Sequence, residues 1–213
     1  MLKWLQPDTS LPVSSLAEIS HELQTGDVVL FSGRDALSTT IKYALRCFWT
    51  HVGMVVRSSD GQLLLWESTC DTNVADLLTG KMFIGAQLVD FHQRVQRYDG
   101  LVAVRRLSDR DHLTVSEISR QMIDEFVAVP YKNYVSHHVW RWLWRRENHH
   151  EAVFCSELLA AFFQRCGILC SERSSDLFTP RDFAIPERMP FLQRPVLLSD
   201  TVWQPVLAVQ VAA

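Results

Sequence analysis

"EAVFCSELLAAFFQRCG", residues 151–167, is a helix-forming stretch that carries a cysteine near its start. Its apolar residues recur at the spacing of one helical face, and they are Phe154, Leu158, Leu159, Phe162, Phe163 and Cys166. This face must be buried against other parts of the protein, and Gly167 suits the end of a helix. The pattern predicts a helix in which Cys155 is the second or third residue.

The position of Cys155 favours a reactive thiol. Backbone N–H groups in the first turn of a helix lack partners, and the helix dipole places positive charge there. Both effects stabilise a thiolate over a thiol. The alternative is that Cys155 packs as a small apolar side chain, as many buried cysteines do. A base close to Cys155 is needed to favour the first interpretation.

His51 is the candidate base, because it alone among the eight histidines opens an apolar strand. "HVGMVVR" and "QLLLWES" flank "SSDG" and predict a β-hairpin. A five-residue loop over 57–61 sets Glu67 opposite His51, where it would orient the imidazole, whereas an even loop substitutes Ser68. The alternatives are a histidine held by a backbone carbonyl and an exposed strand-end glutamate.

The remaining pattern predicts an α+β protein. "TGDVVLFSG" (25–33) and "LVAVRRL" (101–107) suit strands, and "ALSTTIKYALRCF" (36–48) suits a helix. Thr114 and Glu117 form a capping box that opens a further helix, which Pro130 ends. Strands therefore come mostly before the main helices, an order that is typical of α+β proteins. The length of 213 residues predicts a single domain that spans residues 1–213.

Composition and charge exclude several classes of function. The net charge of −3 and the pI near 6.2 offer no basic field for nucleic acid. Apolar stretches fall short of a membrane span, and prolines break the first residues before a signal peptide can form. Five cysteines without a C-x-x-C pair fit a reducing compartment. The sequence therefore predicts a cytoplasmic protein that is not transmembrane and does not bind nucleic acid.

A cluster of tryptophans, arginines and histidines, "HHVWRWLWRRENHH" (137–150), precedes the cysteine helix. Because it lies so close in sequence, we expect Trp142 and Trp144 to line the cleft over Cys155 and contact an apolar substrate group. A peripheral membrane contact is one alternative, and packing with a solvated basic edge is the other. The adjacent histidine pairs lack the spacing of metal ligands, so we expect no metal and no cofactor.

Six segments of the sequence follow one another in an order that is typical of a known family. They are "GDVVLFSG", "THVGMVV", "LLLWEST", "PYKNY", "FCSELLAAFF" and "FTPRDF". Together they span about residues 25–185 and resemble the circularly permuted NlpC-type papain-like hydrolases, in particular the YiiX/YebB-like branch. Lecithin:retinol acyltransferase is a more distant relative. The resemblance implies an antiparallel sheet packed against a helix that bears the nucleophilic cysteine at its N-terminus.

The resemblance also implies roles for particular residues. Cys155 corresponds to the nucleophile, His51 to the general base, and Glu67 to the group that orients the imidazole. Tyr131 matches a tyrosine that lines the site, where its hydroxyl could stabilise an oxyanion. We therefore expect a cysteine hydrolase, of amidase or peptidase type, that acts through a thioester acyl-enzyme on a small-molecule, peptide or lipid substrate.

Two alternatives remain at this stage. One is a lipid-directed acyltransferase or phospholipase of the same fold, which membrane insertion of the tryptophan cluster would favour. The other is a catalytically silent binding module, which an unreactive Cys155 would favour.

Overall fold

The computed structural model describes residues 5–108, 112–131 and 153–201, and a seven-stranded sheet forms the centre of this part. Its strands are β1 (Val13–Ser14), β2 (Val28–Gly33), β3 (His51–Arg57), β4 (Leu63–Thr69), β5 (Gly85–Asp90), β6 (Gly100–Arg105) and β7 (Val196–Leu198). The spatial order is β1-β7-β6-β2-β3-β4-β5. β1 pairs parallel with β7, and the successive neighbours from β7 to β5 pair antiparallel.

Helices cover both faces of this sheet. They are α1 (Leu16–Ile19), α2 (Ala36–Leu45), α3 (Phe91–Gln96), α4 (His112–Glu125), α5 (Cys155–Arg165) and α6 (Pro180–Ala184), with short 3-10 turns at Ser175–Leu177 and Pro186–Arg188. The apolar side of α5 packs on one face of the sheet, and α3 packs on the other. The predicted α+β class is therefore confirmed.

Alternation along the central strands explains the two cores. Val28, Leu30 and Met54 point towards α5, while Val29 and Phe31 point towards α3. Because both faces are covered, β2 is buried at every position, and its first four residues are all apolar instead of alternating with polar ones. None of the helices in the described ranges combines the length and apolar character that a bilayer span requires.

Two predicted helix boundaries differ from the structure. The helix after β6 begins at His112, so Thr114 lies inside α4 and the predicted capping box at Thr114 is wrong. The helix predicted over 36–48 ends at Leu45, where Arg46 takes a left-handed conformation with φ 47°. This turn leads the chain into β3, at whose first position His51 lies.

Candidate active site

Cys155 is the first residue of α5, not its second or third as predicted. The helix begins later because Phe154 has an extended conformation, with φ −83° and ψ 158°. Glu157 accepts a hydrogen bond from the Phe154 backbone N–H at 3.2 Å, which caps this end. Gly167, with φ 68°, follows the other end, as predicted. The Cys155 thiol therefore lies at the positive end of the helix, and it is 5% exposed.

His51 and Glu67 are in direct contact. The His51 Nε2 atom lies 2.5 Å from the Glu67 Oε2 atom, and the Glu67 side chain is fully buried. Ser68, the alternative acceptor, points the other way and donates its hydroxyl to the Val153 carbonyl at 2.7 Å. The Glu67 carboxylate thus fixes one nitrogen of the imidazole.

The register of the β3–β4 hairpin differs by two residues from the predicted one. Met54 pairs with Trp66 and Arg57 with Leu63, so the connecting loop is 58–62. This register places Glu67 across from position 53 and diagonal to His51, on the same sheet face. Because side chains alternate with period two, the shift preserves the contact that the sequence predicted.

Gly53 makes this diagonal contact possible. A Cβ atom at Gly53 would lie 3.0 Å from Leu65 Cδ1 and 3.2 Å from Glu67 Cβ. The side chains of the neighbouring strand β4 therefore fill the space in front of Gly53. A larger residue at position 53 would press on Leu65 and Glu67.

Arg94 is a functional candidate that the sequence analysis missed. Its Nε donates to Glu67 Oε1 at 2.6 Å, and its Nη1 donates to Asp71 Oδ2 at 2.9 Å. Gln87 Nε2 donates to the same Glu67 oxygen at 3.2 Å. The guanidinium is 2% exposed, so this ion pair is shielded from solvent. A chain of contacts thus runs from His51 through Glu67 and Arg94 to Asp71.

Aromatic rings support the chain of contacts from His51 to Asp71. The Arg94 guanidinium lies 5.3 Å from the Phe31 ring centroid and 5.2 Å from that of Tyr98. The Phe31 ring also lies 5.3 Å from the His51 ring. The imidazole and the guanidinium are therefore packed against one shared ring.

The charges on these side chains shift their proton affinities in opposite directions. Burial alone would raise the pKa of Glu67, but the Arg94 charge and the contact with His51 lower that pKa to about 2. Burial alone would lower the pKa of His51, but interaction and hydrogen bonding with Cys155, together with Glu67, raise that pKa to about 9. The imidazole thus interacts with both the thiol and the carboxylate, and these interactions favour its cationic form.

A cleft of about 300 Å³ opens beside Cys155. The residues that line it are Ile41, Leu45, Thr50, Tyr131, Phe154, Cys155, Ser156, Asp176, Leu177, Phe178, Thr179 and Pro180. Tyr131 reaches this cleft because it forms an isolated β-bridge with Val153. The centroids of the Tyr131 and Phe154 rings lie 5.8 Å apart in an edge-to-face arrangement. Trp142 and Trp144, which were expected to line the cleft, lie outside the described residues.

The described residues hold no group of three or more histidine, cysteine, aspartate or glutamate side chains that could bind a metal ion. The four histidines of the 137–150 cluster lie outside the described residues.

A mainly antiparallel sheet that packs against a helix beginning at a cysteine, with the histidine strand earlier in the chain, defines the class of permuted papain-like proteins. The chain belongs to the permuted papain-like amidase family of the YaeF/YiiX type (C92), whose model matches residues 22–205. The predicted family is therefore confirmed, and membership supports a cysteine hydrolase.

A solved structure has a similar fold. It is the crystal structure of the metalloprotein yiiX from Escherichia coli O157:H7, with a TM-score of 0.51 and 17% sequence identity. The similarity covers 86% of this chain and 93% of that chain. No curated protein sequence matches the chain. At this level of identity the comparison supports the permuted papain-like fold.

Proposed function

We propose that this protein is a cysteine hydrolase of the amidase type, with Cys155 as nucleophile, His51 as acid and base, and Glu67 as the orienting group. The observation that carries the proposal is the position of His51, whose ring lies 2.5 Å from Glu67 and whose pKa is raised by its interaction with Cys155. The family of permuted papain-like amidases supports the same reaction class.

The reaction begins with transfer of the Cys155 proton to His51, which leaves a thiolate beside an imidazolium. The thiolate attacks the carbonyl carbon of the substrate and forms a C–S bond, and the carbonyl oxygen becomes an oxyanion. As the C–N bond breaks, His51 gives its proton to the leaving amine. The acyl group remains on Cys155 as a thioester.

Water completes the cycle. His51, now neutral, takes a proton from the water as its oxygen attacks the thioester carbon. The C–S bond then breaks, the acid leaves, and the thiolate and imidazolium are restored. An acceptor other than water would give acyl transfer from the same thioester, which is the remaining alternative for the second half-reaction.

Oxyanion stabilisation is assigned to Tyr131 and the start of α5. The Cys155 backbone N–H lies in the first turn of the helix, where N–H groups lack helical partners. Tyr131 lines the same cleft as Cys155. A phenolic hydroxyl and a backbone N–H together supply the two donors that an oxyanion hole uses.

Arg94 and Asp71 act indirectly in this proposal. A buried carboxylate without a cation would take up a proton and could no longer hold the imidazolium. The Arg94 guanidinium keeps Glu67 ionised, and Asp71 balances part of the Arg94 charge. Arg94 is therefore a positioning residue for His51.

A reducing compartment is part of the proposal. All five cysteines are free, and Cys155 must remain a thiol to act as nucleophile. We therefore propose that the protein works in the cytoplasm.

Alkylation of the individual cysteines tests the nucleophile. At pH 6, we expect iodoacetamide to modify Cys155 at least about tenfold faster than the exposed Cys70 and Cys170. Peptide mass spectrometry over time gives each rate. Burial alone predicts the reverse order, because Cys155 is 5% exposed.

A control with the protein unfolded in guanidinium should bring the cysteine rates close together. If Cys155 in the folded protein reacts no faster than Cys70, the assignment of the nucleophile is wrong.

A further inference from the structure

A second cysteine lies near the candidate active site and has no part in the proposed reaction. Cys70 follows directly after β4. Because β4 runs antiparallel to β3, the end of β4 lies at the same end of the sheet as His51, the first residue of β3. Cys70 is exposed, whereas Cys155 is buried beside the cleft. Solvent therefore reaches a second cysteine at the end of the sheet where His51 lies.

A hydrogen bond ties the end of β4 to the segment that leads into α5. The Ser68 hydroxyl donates to the Val153 carbonyl at 2.7 Å. Cys70 lies two residues after Ser68, and Cys155 lies two residues after Val153. Two residues span at most about 7 Å of chain, so each cysteine lies within that reach of the hydrogen bond. The two cysteines are thus held in one small region by a contact that involves neither of them.

The two thiols also interact electrostatically. Burial raises the pKa of the Cys70 thiol, and the negative charges of Asp71 and of a Cys155 thiolate raise that pKa further. The effect of a charge weakens with distance, so this interaction is typical of close neighbours. The two cysteines therefore differ in character: Cys155 interacts with His51 and is the thiolate in the proposed reaction, whereas Cys70 stays a thiol.

The length of α5 excludes two other cysteines as disulfide partners of Cys155. Cys166 directly follows the last residue of α5, and a rise of about 1.5 Å per residue places it about 16 Å from Cys155. Cys170 is held at the same end of α5, where its carbonyl accepts a hydrogen bond from Gln164 Nε2 at 3.0 Å. The Cα atoms of a disulfide lie within about 7 Å of each other, so neither residue reaches Cys155.

We propose that Cys70 and Cys155 form a reversible disulfide when the protein meets hydrogen peroxide, and that Cys70 thereby protects the nucleophile from irreversible oxidation. The inference rests on the proposed function, since it takes Cys155 to be the reactive thiolate. It goes further by assigning a modification site at the cleft and a role to Cys70.

Hydrogen peroxide is the oxidant in this reaction. The Cys155 thiolate attacks one peroxide oxygen, the O–O bond breaks and hydroxide leaves, so Cys155 is oxidised by two electrons to a sulfenic acid. The Cys70 sulfur then attacks the Cys155 sulfur. An S–S bond forms, the S–O bond breaks, and the Cys70 proton leaves with the hydroxyl group as water. A dithiol reductant reverses the step by exchange, and the exposure of Cys70 gives it access.

Peptide mass spectrometry after mild oxidation tests this inference without requiring turnover. The protein is treated with a small excess of hydrogen peroxide, and the remaining thiols are blocked with N-ethylmaleimide. One portion is digested directly, and in the wild type we expect the peptides of Cys70 and Cys155 to be joined within a single chain. The other portion is reduced with dithiothreitol, which should restore iodoacetamide labelling to about nine-tenths of the oxidised Cys155.

Cys70→Ser removes the partner and should change the fate of Cys155. Its sulfenic acid then meets a second peroxide and becomes a sulfinic acid, so dithiothreitol should restore labelling to only about one-tenth of it. Cys170→Ser is the matched control, because Cys170 is also exposed but lies at the other end of α5. This control should keep the disulfide and the wild-type recovery. Both variants should keep the wild-type rate of iodoacetamide labelling at Cys155 before oxidation.

The outcomes distinguish this inference from the proposed function. If Cys155 reacts rapidly with iodoacetamide but peroxide does not join it to Cys70, or joins it to Cys47 instead, the inference is wrong and the nucleophile stands. Equal recovery in Cys70→Ser and Cys170→Ser would also overturn the inference. If Cys155 reacts no faster than Cys170 before oxidation, the proposed function fails, and with it the thiolate on which the disulfide depends.

Discussion

Replacing His51 with alanine should lower kcat/KM for p-nitrophenyl acetate by about 10²–10⁴-fold, the usual contribution of a general acid and base. The variant loses the base that takes up the Cys155 proton and stabilises the thiolate as an ion pair. Glu67→Gln should have a smaller effect, because it leaves the imidazole in place and removes only the charge that orients it. Steady-state kinetics on the folded variants gives both values.

His92→Ala is the matched control for His51→Ala. His92 lies on α3 and contacts Ser20, with its Nε2 atom 3.3 Å from the serine hydroxyl, so its loss should leave kcat/KM near the wild-type value. Circular dichroism establishes that each variant is folded. Equal activity of His51→Ala and His92→Ala would rule out His51 as the acid and base.

Replacing Arg94 with methionine should lower kcat/KM. It should also shift the acidic limb of the pH profile, the range over which kcat/KM falls as the pH is lowered, to higher pH. Without the guanidinium, the pKa of the buried Glu67 rises from about 2, so the carboxylate is protonated within the working range and releases His51. Arg94→Lys keeps a positive charge and should restore part of the acidic limb. Profiles of kcat/KM against pH for the three proteins measure this shift.

Stability must be separated from this effect, because removing one partner of a buried ion pair costs about 3–5 kcal/mol. Arg105→Met is a suitable control, since Arg105 is also fully buried and donates to the carbonyls of Phe183 and Leu192, away from Glu67. It should destabilise the fold without moving the pH profile. A wild-type acidic limb in Arg94→Met would show that Arg94 is only a packing residue.

The same groups set the pH dependence of the free energy of unfolding. Glu67 has a pKa of about 2 in the folded protein against an ordinary 4.5, so its contribution is present above pH 4.5 and is lost as the pH falls towards 2. His51 has a pKa of about 9 against an ordinary 6.5, so its contribution is complete below pH 6.5 and is lost as the pH rises through 9. Arg94→Met should therefore narrow the stable range from its acidic side.

The sequence predicted the parts of this site that depend on periodicity. The apolar spacing after Cys155 predicted α5, and the alternation around "SSDG" put His51 and Glu67 on one sheet face. The alternating pattern could not predict which residues of β3 and β4 pair with each other, because a shift of the register by two residues leaves every side chain on the same face. The predicted start of α5 was one or two residues too early, because Phe154 continues the apolar pattern of the helix although its backbone is extended.

Arg94 could not be predicted for a different reason. α3 has only six residues, too few for a helical repeat to be recognised. The preceding strand β5, with the sequence GAQLVD, mixes polar and apolar residues without a clear alternation. Nothing in the local pattern indicates that an arginine there is buried. The available signal was Glu67 itself, since a carboxylate at the end of an apolar strand requires a cationic partner.

The central claim is that Cys155 carries the acyl group during the reaction, and trapping that intermediate tests it most directly. The protein would be mixed with p-nitrophenyl acetate, quenched in acid within the first turnover, and digested for mass spectrometry. We predict one acetyl group on the peptide that contains Cys155, which neutral hydroxylamine removes as expected of a thioester, and no acetyl group on the corresponding peptide of Cys155→Ala. Acetylation of another residue in the wild type, with an unmodified Cys155 while p-nitrophenol is released, would contradict the account.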